Sequence, residues 1–289
     1  VQSDPADRAF KAGHPRLWVA GLVLLALVVT LVVLARGPKT AVVPSQGPSS
    51  GAADAVTTRE DAAARLLDRL TARLRDGTRQ QTRALAVPGD SAAAGELGAI
   101  FDNVHRLGVT DLSMRYVDED AGQPASSEQR RLGDRGWVGD VQLGWRIAGY
   151  AHVDSHMEIT LTFAETSRGA AFVSARGDHG DAAPLWLLDR LAVRRGHRSL
   201  VMVAGGARAG VFARQAAHAL ADVRKVLPGW RGKLVLEVPE SQDELNRTLG
   251  AAQNAYDAIA AVTTTADGSV EPTAPAHVFI NPAVFDDLG

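Results

Sequence analysis

The sequence predicts an α+β fold that follows a membrane-spanning helix, and three observations carry that expectation. Leu17 to Ala35 contains nineteen residues without a charge. Two helical patterns, 57–76 and 91–106, precede four runs of period-two alternation. Beyond about residue 184 the rhythm changes, and apolar strands alternate with helices. Helices followed by a meander of strands are the pattern of an antiparallel sheet folded over its helices.

Composition narrows the function classes. The 289 residues leave room for one membrane segment and two modest domains. A hydrophobic fraction of 46% is enough to build a core. Thirty-one basic and 33 acidic residues give a net charge of -2, so nucleic acid is not expected as a partner. The chain has no cysteine, which excludes disulfides, thiolate zinc sites and a cysteine nucleophile.

The run "LWVAGLVLLALVVTLVVLA" spans roughly 28 Å as a helix, close to the thickness of a bilayer core. A buried globular helix does not need apolar residues on every face. A cleaved signal peptide has a shorter apolar region, usually about 7–15 residues, and a small-residue cleavage site. Here Arg36-Gly37-Pro38-Lys39 follows instead, so an uncleaved signal anchor in the lipid bilayer is expected. Arg8, Lys11 and Arg16 before the span lean the N-terminus toward the cytoplasm and the bulk of the chain outside. The expected organisation is a cytoplasmic tail (1–16), the span (17–35), a Gly/Pro/Ser-rich linker (36–56), an α+β domain (57–183) and a lobe of alternating elements (184–289).

The first helix should be capped by Thr57 or Thr58, carry the stripe Leu66, Leu67, Leu70 and Leu74, and stop at Gly77. The second should present Leu97, Ile100, Phe101 and Val104 on one side. Four strands follow: one around Leu112 to Tyr116, then Trp137–Ala148, His156–Glu165 and Ala170–Ala175. In the lobe, "RSLVMVAG" reads as a buried strand. A helix from about Ala209 to Val226 follows, with Leu220, Val223 and Leu227 at helical spacing. "KLVLEVP" is a strand, and Ser241 with Glu244 predicts a capping box. "AIAAVTTT" and "HVFIN" are two more strands. The first part looks like a nuclear-transport-factor-2-like module, a likeness of architecture without a motif.

Local chemistry offers few candidates. The turn after "RSLVMVAG" holds Gly205, Gly206 and Gly210, with Glu237 on the next strand, but the spacing is not G-x-G-x-x-G. His152 and His156 are four apart, with Asp154 and Glu158 nearby, yet the segment reads as a turn entering a strand and no H-E-x-x-H is present. Asp118, Glu119 and Asp120 lack the spaced ligands of a calcium loop and read as a hairpin tip. "RRGHR", Arg194 to Arg198, is a basic cluster that could meet anionic lipid head groups but reads as a solvated face. Trp137, Trp145, Tyr150, Phe163 and Phe172 could line a pocket, although such strand aromatics are usually core. No serine lies in a G-x-S-x-G elbow.

The final hundred residues do carry a resemblance. "PGW…KLVLEVPESQDEL" and "VFINPAVFDDLG" are similar to actinobacterial membrane-anchored proteins with a two-layer N-terminal domain and a gluzincin (peptidase-MA-like) zinc metallopeptidase domain. That resemblance implies that "HVFIN" is the edge strand of a cleft where a peptide pairs by strand addition. It implies that the zinc-binding H-E-x-x-H lies beyond Gly289, so that His277 is not a ligand and this chain is inactive alone. No catalytic, cofactor-binding or metal-ligating residue is assigned here, and zinc is expected only with a continuation bearing H-E-x-x-H. A peptide or protein partner is the expectation. The alternative is a non-enzymatic, membrane-anchored binding module.

Overall fold

The computed structural model describes residues 50–175, 182–206, 208–269 and 274–285. The expected anchor, Leu17 to Ala35, lies outside them; among the described residues no helix is long and apolar enough to cross a membrane.

Helix α1 (Ser50–Asp76) begins seven residues before the expected cap, so Thr57 and Thr58 lie inside it. Alanine at 52, 53 and 55 favours this extension. Its stripe Leu66, Leu67, Leu70 and Leu74 is buried as expected. A short helix absent from the sequence reading follows, α2 (Arg79–Arg83), closed by a capping box. Gln81 N donates to Thr78 Oγ1 (3.3 Å) and Thr78 N to Gln81 Oε1 (3.0 Å). Helix α3 (Ser91–Leu107) starts at Asp90, which accepts from the amides of Ala92 and Ala93. It ends at Gly108, whose φ of 56° is the left-handed cap that glycine adopts without a Cβ clash.

The first sheet is an antiparallel meander, β1 (Val109–Glu119), β2 (Gly136–Ile147), β3 (Ser155–Thr166) and β4 (Gly169–Ser174), in that spatial order. This is the α+β arrangement that the alternation predicted. One connection differs. Asp118 and Glu119 close β1, and the chain reaches β2 through α4 (Ser126–Leu132) and a 3-10 turn (Gly133–Arg135), so there is no hairpin tip.

After α5 (Leu185–Leu188), buried at all four positions, a second, five-stranded sheet forms. Its strands are β5 (Leu191–Arg195), β6 (Ser199–Ala204), β7 (Leu234–Val238), β8 (Ala261–Thr264) and β9 (Ala276–Ile280). Helix α6 (Ala209–Val226) links β6 to β7, and α7 (Gln242–Thr248) follows β7. Helix α8 (Pro282–Phe285) follows β9. The spatial order is β5-β6-β7-β9-β8. Strands β6, β7 and β9 are mutually parallel, whereas β5 and β8 are antiparallel to their neighbours.

This order corrects the expectation for "HVFIN". Strand β9 is interior, pairing His277 with Val235 on one side and Thr264 on the other. The sheet ends instead at β8, whose four residues are all half-buried, while His277, Phe279 and Ile280 of β9 are buried. Strand β5 was also unforeseen: Arg194 and Arg195 of the basic cluster are its last residues.

The two sheets share one core. Leu66, Leu97, Trp145 and Phe163 belong to the same continuous cluster as Leu191, Met202 and Val235. The opposite face of the second sheet packs Val201, Val203, Leu236 and Val238 against Phe212 and Ala216 of α6.

Candidate functional site

Alternation along the parallel strands decides which side chains meet between the sheets. Val235 and Glu237 of β7 point to the shared core, and Leu234, Leu236 and Val238 point to α6. On β9, His277 and Phe279 share the inner face with Glu237. His277 Nδ1 and Glu237 Oε1 are 2.5 Å apart, and both side chains are buried. Around them stand Trp145, Trp186, Met202 and Phe279, which leave a cavity of about 10 Å³. That is room for roughly one water molecule and no substrate. A carboxylate that fixes one imidazole nitrogen is the arrangement that orients a general base. Here it is sealed between two sheets, so the pair serves to satisfy two buried polar groups across neighbouring strands.

Asn281, directly after β9, is fully buried. Its Nδ2 donates to Tyr256 O (2.8 Å), and its Oδ1 accepts from Ala283 N (3.1 Å), capping α8. The Asn-Pro of the sequence therefore fixes the direction in which the chain leaves the sheet. Phe285 of α8 lands on Phe212 of α6, with ring centres 5.4 Å apart.

The candidates from the sequence separate in space. Gly205 and Gly206 have positive φ (62° and 78°) and end β6, as a turn requires. Glu237 faces away from α6, and the Glu240 carboxylate stands 3.3 Å from where a Gly205 Cβ would lie. A carboxylate in front of that turn repels a phosphate. His152 and His156 are exposed, and the His156 amide donates to Asp267 Oδ2 (3.0 Å). Asp154 lies 3.6 Å from Arg146. Among the described residues no three His, Cys, Asp or Glu side chains converge on a point. Glu119 pairs with Arg59 (2.9 Å), whose guanidinium also lies over the Trp137 ring. Trp137, Trp145, Tyr150, Phe163 and Phe172 are each at most 6% exposed, so they build the core and line no ligand-sized pocket.

Sequence reasoning missed the His277–Glu237 pair. The usable signal was a Glu and a His, each in an otherwise apolar strand of a parallel sheet, where an unpaired charge is not tolerated. No known protein-family model matches the chain. No curated protein matches it either.

Proposed function

We propose that this chain is the substrate-presenting, non-catalytic part of a membrane-anchored, extracytoplasmic zinc metallopeptidase of the gluzincin type, behind a nuclear-transport-factor-2-like domain. The observation that supports this reading is the second sheet. A short antiparallel strand, β8, ends it beside β9, and β9 runs through the Asn281 cap into α8. An edge strand offers unpaired backbone groups to an extended peptide. The role that the resemblance gave to "HVFIN" passes to "AVTT" of β8.

Magnitudes limit what this edge does alone. Thr263 of the four-residue strand β8 is already engaged, so only a few outward backbone groups remain, each adding about 1 kcal/mol net. The edge alone thus holds a peptide no more tightly than roughly millimolar. Side-chain selection and chemistry belong to other residues. Zinc does not fit the described residues: His277 is committed to Glu237, and no third ligand joins them.

Metal analysis and a peptidase assay test the reading together. The chain should hydrolyse no peptide and hold far less than one zinc per molecule. A longer product of the same reading frame, carrying H-E-x-x-H, should do both. One equivalent of tightly bound zinc in the present chain would overturn the proposal.

A further inference from the structure

Helix α6 is longer than the sheet beneath it. Its 18 residues span roughly 27 Å, whereas the six residues of β6 span roughly 20 Å. Its first half is covered, with Ala209, Phe212 and Ala216 buried. Of the stripe read from the sequence, Leu220 and Val223 are half-buried and Leu227, just past the helix end, is exposed. Val226 is 78% exposed and Leu227 54%. Pro228 and Gly229 are exposed beyond them, and Trp230 is half-buried. Among the described residues Val226 and Leu227 are the two most exposed large apolar side chains, and they are adjacent.

The ring around the tip is basic. Arg224 and Lys225 precede it, and Arg231 and Lys233 follow it. The hairpin between β5 and β6 lies at the same end of the sheet, because Ser199 pairs with Leu234 and Leu234 N donates to Arg198 O. It adds the exposed Arg194 and His197, whereas Arg198 is half-buried with a buried guanidinium nitrogen and Arg195 turns to the other face of the sheet, donating to Arg106 O and Leu107 O. Lys225 pairs with Asp222 (2.6 Å). Among the described residues no carboxylate pairs with Arg194, Arg195, Arg198, Arg224, Arg231 or Lys233. Several bond backbone oxygens only: Arg231 to Pro228 O (3.1 Å), Arg194 to Val193 O (3.2 Å), and Lys233 to Gly149 O. Lys233 and Arg195 both stand against the Tyr150 ring, at 5.7 and 5.4 Å.

We infer that this end of the second sheet is a peripheral membrane contact. Val226, Leu227 and Trp230 enter the interface of an anionic bilayer, and the surrounding arginines and lysines meet its phosphates. Aliphatic side chains at a turn tip, a tryptophan beside them and a basic collar are the chemistry of interfacial binding. A second copy of this chain would bring the same collar against itself. The apolar run Leu17 to Ala35 supplies a reason for a bilayer to be near. The inference does not depend on the peptidase reading.

The absence of cysteine makes the test direct. The full chain with Val226→Cys, carrying an environment-sensitive fluorophore, is mixed with phosphatidylcholine vesicles with or without phosphatidylglycerol. The label reports on the tip whatever else holds the chain to the vesicle. Emission should shift to shorter wavelength with the anionic vesicles and much less with the neutral ones. Adding Arg224→Glu and Arg231→Glu should remove the shift while the far-UV circular dichroism stays unchanged. Unchanged emission with anionic vesicles overturns the inference. So does an equal shift on both vesicles that survives the charge reversal. A shift without vesicles that grows with protein concentration overturns it in favour of self-association.

Discussion

His277 and Glu237 sit between the sheets with aromatic and aliphatic neighbours, so each depends on the other for its hydrogen bond. Removing one partner of such a pair costs about 3–5 kcal/mol because the other stays buried and unpaired. His277→Ala should therefore lower the urea midpoint strongly, whereas Glu237→Leu with His277→Phe should recover part of the loss. A smaller loss for His277→Ala than for an ordinary surface substitution would show that the pair is not sealed. Tyr116 is a second residue whose chemistry the core sets. Burial is the main cause that raises its phenol above 10.0; the Trp137 side chain opposes it as the next largest influence, and the carboxylates of Glu119, Glu60 and Asp118 add to the rise. The raised folded value means that its contribution is complete below pH 10.0 and is lost as the pH rises toward the folded value. The Tyr116 ring also explains Gly139, where a Cβ would lie 2.5 Å from Tyr116 Cε2. Gly139→Ala should cost about 1–3 kcal/mol in thermal unfolding, through forced movement of that ring. These contacts were not legible in the sequence. Glycine and tyrosine on separate strands reveal their meeting only once the register is known.

At the scale of elements, the long amphipathic and alternating segments were legible because their periodicity records one buried face each. Helix α3 and strands β2 and β3 fall within a residue or two of expectation. The short elements were not, since α2, α4 and β5 hold too few residues to display a period. The order of β8 and β9 was hidden too, because strand pairing is a non-local choice. The joints between elements rest on single polar side chains. Asn103 is fully buried on α3; its Nδ2 donates to Trp186 O (2.8 Å) and Asp189 O (2.6 Å), and its Oδ1 accepts from Leu191 N (3.0 Å). Asn103→Leu strands three backbone groups at about 1–3 kcal/mol each, so it should be among the most destabilising substitutions in the chain. Asp267 ties the segment after β8 to His156 of β3. Burial opposes its ionisation, but hydrogen bonds from Ser269, the His156 amide and Thr265 outweigh it and hold the carboxyl below 3.8. Its contribution is then complete above the ordinary carboxylate value and is lost as the pH falls through the folded value. Asp267→Asn should flatten that acid limb of the stability curve, and an unchanged limb would assign it to another group.

The whole molecule is more united than its two rhythms of sequence suggest. The continuous core through both sheets, with Asn103 and Tyr150 bonded across it, predicts one cooperative unfolding transition. Tryptophan fluorescence and far-UV circular dichroism should trace the same curve, and two separated transitions would assign the sheets to independent units. This union gives a mechanical reason for the proposed role, in which a rigid body carries the terminal strand β8 and hands the chain to α8. The proposed role is tested most directly by the reading frame beyond the codon for Gly289. An H-E-x-x-H should appear within a few tens of residues of α8, and a stop codon directly after Gly289 would overturn the proposal.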